Sequence, residues 1–161
     1  MKKVIGVVGW KDVGKTFVVT EIIKLLVEKG YRVGSIKHAH HNFDIDQPGT
    51  DSFKHRKSGS SQVIISSSKR WAKIIENKNQ KEKNLNELLK EFNEVDVVLV
   101  EGFKKENHPK IEIITQNSKS INNEIENVVA IVADNTLESN IPVFKKNDIE
   151  SLTQFIIDNF L

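Results

Sequence analysis

Apolar residues in this chain gather into short β-branched runs, and between the runs they recur at helical spacing. Val4-Ile5-Gly6-Val7-Val8 predicts a buried strand, and the stretch from Phe17 to Lys29 predicts a helix that stops at Gly30. Gly30 to Ile36 predicts a second strand. Strand, helix and strand in close succession form a βαβ unit, so the sheet is expected to be largely parallel. Val63-Ile64-Ile65 predicts a short strand flanked by serines. Leu85, Leu88, Leu89 and Phe92 repeat at helical spacing after Asn84, an N-cap candidate. Val95 to Val100 predicts a central buried strand, Lys110 to Ile114 another introduced by Pro109, and Val128 to Val132 a further parallel strand. Val143-Phe144 reads as a short edge strand. A closing helix from about Asp148 to Phe160 turns Leu152, Phe155, Ile156 and Ile157 inward.

Two segments break this rhythm. Lys37 to Gln62 is long, polar and without period, which marks a functional loop or a linker. Its density of His, Asp and Arg favours function, and Asp51 or Ser52 opens a short helix containing Phe53. Lys69 to Lys83 is lysine-rich around Trp71, Ile74 and Ile75. It reads either as a solvated hairpin and loop or as a partner surface. No internal repeat and no second domain is evident. The expectation is one α/β domain over residues 1–161, whose mostly parallel sheet has helices on both faces.

The junction of the first strand and first helix carries the chemistry. Gly9-Trp10-Lys11-Asp12-Val13-Gly14-Lys15-Thr16 fits the Walker A spacing of two glycines, a lysine and a hydroxyl, so the α/β domain is expected to have a P-loop NTPase fold. Glycines let the backbone turn sharply and approach a ligand. Amides of the loop and first helical turn lack intrahelical acceptors and point at an anion. In such a loop Lys15 reaches the β- and γ-phosphates, and the Thr16 hydroxyl sits on Mg²⁺. Glu101 follows a predicted central strand, and ligands of open α/β sheets bind beyond the carboxyl ends of strands. It is the candidate for the Walker B acid on Mg²⁺, where the common residue is Asp.

Composition removes other chemistries. At 161 residues the chain is long enough to bury a core. Lys+Arg 24 against Asp+Glu 22 leaves a net charge of +2, too balanced to argue for nucleic acid or an anionic membrane. There is no cysteine, hence no disulfide, thiolate metal site or cysteine nucleophile. With no charged leader and no membrane-length apolar run, the expectation is a cytoplasmic protein. His38, His40 and His41 fit polar contacts to substrate, phosphate or the loop better than zinc, which needs more ligands than they offer. Asp44, Asp46 and Asp51 are candidates for a second-sphere Mg²⁺ contact or a water-orienting base. Lys15, Asp46 and Glu101 are therefore the catalytic candidates.

The phosphate loop resembles that of the molybdopterin-guanine dinucleotide biosynthesis protein B family. More specific are Lys37-His38-Ala39-His40-His41, the run Phe43 to Ser52, and His55-Arg56, which are similar to that family's signature after the second strand. Arg70-Trp71-Ala72, Val98 to Lys104 and Pro109 to Glu112 resemble family blocks in the expected order. The resemblance implies a GTP-binding adaptor of molybdenum cofactor biosynthesis, a homodimer with weak GTPase activity at most. It implies GTP and Mg²⁺ as ligands, with Gly9 and Lys11, Asp12, Val13, Gly14, Lys15 and Thr16 on the phosphates and Thr16 with Glu101 on the metal. It implies the molybdopterin guanylyltransferase, and molybdoenzyme maturation factors, as partners. The chain has no Asn-Lys-x-Asp guanine signature, so guanine rests on the resemblance. Two other readings stay open: a P-loop small-molecule kinase with Asp44 or Asp46 as base, and a metal-insertion GTPase using the histidines.

Overall fold

The first strand supplies the middle of a six-stranded sheet. The computed structural model describes residues 2–39, 43–77, 81–116, 118–121, 124–135 and 137–161. Two compact units emerge, one formed by residues 1–38 with 85–161 and the other by residues 39–84.

In the first unit the order along the sheet is β2 (Val33–Lys37), β5 (Val97–Glu101), β1 (Lys3–Gly9), β6 (Lys110–Ile114), β7 (Val128–Ala133) and β8 (Val143–Lys145). Every pairing is parallel. The β-branched runs explain this, because a parallel strand is covered on both faces and reads as continuous apolar sequence. Side chains alternate between those faces. Val97 and Leu99 join the larger core with Ile5, Val7 and Ile111, under α1 (Lys15–Glu28) and α4 (Ile149–Phe160). Val98 and Val100 pack on the other face with Leu85 and Leu89 of α3 (Leu85–Leu89) and with Phe92. Helices thus cover both faces, as expected from the sequence.

Element boundaries follow local chemistry. α1 ends at Lys29 and Gly30, whose amides bond back to Leu25 and Val27, so the strand expected from Gly30 begins only at Val33. Asp148 caps α4 by accepting from the Ser151 amide at 3.2 Å. α3 stops at Leu89, short of Phe92.

β6 holds the least expected burial. Lys110 and Glu112 are 1% and 0% exposed, between β1 and β7. Lys110 Nζ donates to the carbonyls of His108 at 3.0 Å and Glu126 at 2.9 Å. Glu112 accepts from Ser120 Oγ at 2.9 Å and the Ile121 amide at 2.5 Å, tying the chain after β6 to the sheet. Replacing Glu112 with alanine would take the acceptor from the buried Ile121 amide. The expected loss is about 2 kcal/mol of unfolding free energy, read as a lower denaturant midpoint.

The second unit contains α2 (Asp51–Lys57) and an antiparallel hairpin of β3 (Gln62–Ser66) and β4 (Trp71–Ile75). α2 opens at Asp51, one of the two expected positions, and Thr50 caps it through Phe53 N. Arg56 is the hub: it meets Asp44 and Asp46 at 2.7 Å and Glu76 at 3.2 Å. Ile64, Ile65, Trp71 and Ile75 of the hairpin are exposed.

Candidate functional site

The carboxyl edge of β1, β2 and β5 assembles the site. In register, Glu101 of β5 lies between Val7 of β1 and Lys37 of β2. β1 runs out at Gly9, where the chain leaves the sheet and returns as α1 from Lys15. Gly9 has φ 149°, and a Cβ there would stand 2.7 Å from the Ile113 carbonyl oxygen. No side chain fits while β6 is paired. Asp12 and Gly14 also have positive φ, 61° and 92°. This is the sharp bend that the glycine spacing predicts, and α1 opens from it with its first amides unpaired within the helix.

The Thr16 hydroxyl reaches the Glu101 carboxylate, 3.1 and 3.2 Å from its two oxygens. Two residues 85 positions apart therefore meet beside the loop. Lys15 Nζ donates to the Trp10 carbonyl at 2.5 Å. Burial lowers the Lys15 pKa; Lys104 and Lys37 lower it further, while Glu101 and Asp12 oppose the shift. The Trp10 indole donates to the Lys119 carbonyl at 2.7 Å. A cavity of about 510 Å³ lies between Trp10 to Val13 and the chain after β6, at Thr115, Ser118 and Lys119.

The other candidates are engaged differently. Asp46 belongs to the second unit, where Arg56 Nη2 and Nε donate to its two oxygens at 2.7 and 3.3 Å. Those bonds hold its pKa below the ordinary carboxylate range. Asp44 shares the same guanidinium. A carboxylate so engaged is a poor proton acceptor, and the geometry gives Asp46 the work of holding Arg56. His38 stacks on Phe103, ring centroids 4.4 Å apart. His40 and His41 lie outside the described residues. Among the described residues no three His, Cys, Asp or Glu side chains gather as a metal site, and no helix is long and apolar enough to cross a membrane.

Sequence reasoning missed Lys146. It follows β8, and its Nζ donates to the Val13 carbonyl at 3.1 Å, close beneath Gly14. Its place at the carboxyl end of a parallel strand was the available signal.

A central parallel strand leading through a glycine bend into a helix, with a hydroxyl and an acid converging there, defines a P-loop NTPase fold. Comparison with known proteins narrows the class. The family model described as molybdopterin guanine dinucleotide synthesis protein B, MobB, matches residues 4–134. The chain belongs to this family. It is 34% identical over 155 residues to the molybdopterin-guanine dinucleotide biosynthesis adapter protein of Escherichia coli K12, covering 93% of this chain and 89% of that protein. It is 38% identical over 160 residues to the protein of the same name from Haemophilus influenzae, covering 98% and 88%. A crystal structure of Bacillus subtilis MobB superposes with a TM-score of 0.78 at 23% identity, covering 99% of this chain and 98% of the other. At that identity the superposition speaks for the fold.

Proposed function

We propose that this protein is a GTP-binding adaptor of molybdopterin-guanine dinucleotide biosynthesis, which turns GTP over slowly to GDP and phosphate. The observation that carries the nucleotide reading is the meeting of Thr16 and Glu101 beside Lys15 at the bend after β1. A hydroxyl and a carboxylate are hard oxygen donors. They suit Mg²⁺, which takes few protein ligands and keeps several waters. Bound there, the ion would neutralise phosphate charge. Amides of Gly9 and of Lys11 to Thr16 would hold the phosphates, with Lys15 as their fixed positive charge.

The adaptor role follows from family membership and from the relatives named adapter proteins. Guanine is assigned on the same ground. The partner is a nucleotidyltransferase, the molybdopterin guanylyltransferase, in the cytoplasm. The exposed apolar residues of the hairpin, Ile64, Ile65, Trp71 and Ile75, support association, which we assign to a homodimer. With Asp44 and Asp46 engaged by Arg56, the kinase reading loses its proposed bases.

A nucleotide panel with Mg²⁺ tests this. GTP is expected to bind more tightly than ATP and to be hydrolysed slowly. Equal affinities would remove the guanine assignment. Rapid multiple-turnover phosphoryl transfer to a small molecule would replace the adaptor with a kinase.

A further inference from the structure

Lys37 and Lys104 have no place in the Walker A pattern, yet the fold brings both to the rim of the loop. Lys37 ends β2 in register with Glu101, its Nζ 3.7 Å from Glu101 Oε1. The next residue is fixed to β5: the His38 amide donates to the Glu101 carbonyl at 2.9 Å, and its ring stacks on Phe103. Gly102 has φ 104°, and a Cβ there would lie 2.8 Å from His38 Cβ. Phe103, not a glycine, also has positive φ, 50°. Non-glycine residues enter this region rarely, and usually where surrounding packing holds them. Here Phe103 is held by the stack and by the apolar cluster under α3.

Two successive left-handed residues turn the chain abruptly after β5. Lys104 emerges over the Trp10 ring of the phosphate loop, Nζ 5.2 Å from the centroid. The ammonium groups of Lys37 and Lys104 both act on that of Lys15, as do the carboxylates of Glu101 and Asp12 with opposite sign. Cations exceed carboxylates in that group, which favours an anion beyond those two acids. The Lys37 side chain is 65% exposed and its ion pair with Glu101 is long, so it can exchange partners at small cost.

We propose that Lys37 and Lys104 bind the terminal phosphate of a nucleoside triphosphate and set the preference of this site for triphosphate over diphosphate. This rests on the nucleotide reading above. Loop amides and Lys15 would serve both nucleotides, whereas the two rim lysines would serve only the one with the extra phosphate.

Calorimetry with GDP and with a non-hydrolysable GTP analogue, each with Mg²⁺, tests it on the wild type, Lys37→Met, Lys104→Met and the double variant. Each single variant is expected to lose about tenfold in affinity for the analogue, the scale of one charge-assisted phosphate contact. GDP affinity should hold within about twofold, since exposed charges matter little without a direct partner. An unchanged ratio of the two affinities in the double variant overturns the proposal. A parallel loss of both nucleotides overturns it too. A wild-type protein that binds neither nucleotide overturns the phosphate-loop reading beneath it, a separate result. Should Lys104→Met fail to fold, Lys37→Met, at an exposed position, carries the test.

Discussion

Lys15→Ala is expected to weaken GTP binding by at least about tenfold while leaving the melting temperature near that of the wild type. The lysine begins α1, and its ammonium bonds to the carbonyl of Trp10 in its own loop. That contact is exposed, so the fold does not depend on it. In the binding reading the same ammonium moves to the phosphates, where a charge-assisted bond is worth about 1.5–3 kcal/mol. Calorimetric titration of both proteins with GTP and Mg²⁺ measures the difference. An unchanged dissociation constant would remove Lys15 from the site.

Stability should fall by about 3 kcal/mol as pH drops from 7 to 4, through one residue far from that chemistry. His108 is 6% exposed, and among the described residues neither ring nitrogen has a hydrogen-bond partner. It packs so closely on Gly6 that a Cβ there would lie 2.5 Å from Nε2. Burial, assisted by the Lys110 ammonium, pushes its pKa from 6.5 down to about 4. The unfolded chain then binds a proton near pH 6.5 that the folded chain refuses until about pH 4. Stability from this group is therefore full above pH 6.5 and lost as the pH falls toward 4. That window lies above the one in which Asp46, bonded to Arg56, and Asp96, bonded to Arg32 at 2.9 Å, are protonated. Urea denaturation at a series of pH values should show the decline, and His108→Leu should flatten it. Leucine fills the space and orphans no partner of the ring. A slope that survives in the variant would place the effect elsewhere.

The parallel core was legible because burial on both faces forces apolar runs, and β1, β5 and β7 carry them plainly. Strand order across the sheet was not legible, since runs such as Val4 to Val8 and Val97 to Val100 carry no label for their neighbours. β6 shows where pattern misleads. Lys110 and Glu112 would ordinarily face solvent, and only the carbonyls and amides that meet them in three dimensions make their burial tolerable. The meeting of Thr16 and Glu101 beside Lys15 was legible because local spacing and strand-end position dictate where these residues stand. Asp46 was selected on residue type alone, and type cannot reveal that Arg56 has claimed the carboxylate. Lys104 stood only within a family-like block, and its place over Trp10 was not legible because it depends on the backbone turn at Gly102 and Phe103, which no periodicity records.

The interior position of β1 has a consequence for biosynthesis. Its two neighbours, β5 and β6, begin at Val97 and Lys110, so every residue from β1 to Val97 must be made before β1 has either edge to pair with. Residues 39–84, the unit around Arg56, are all made before that point, and their contacts are nearer in sequence. The pairing of Thr16 with Glu101 beside the loop is thus completed only when β5 arrives, long after the loop itself has been made.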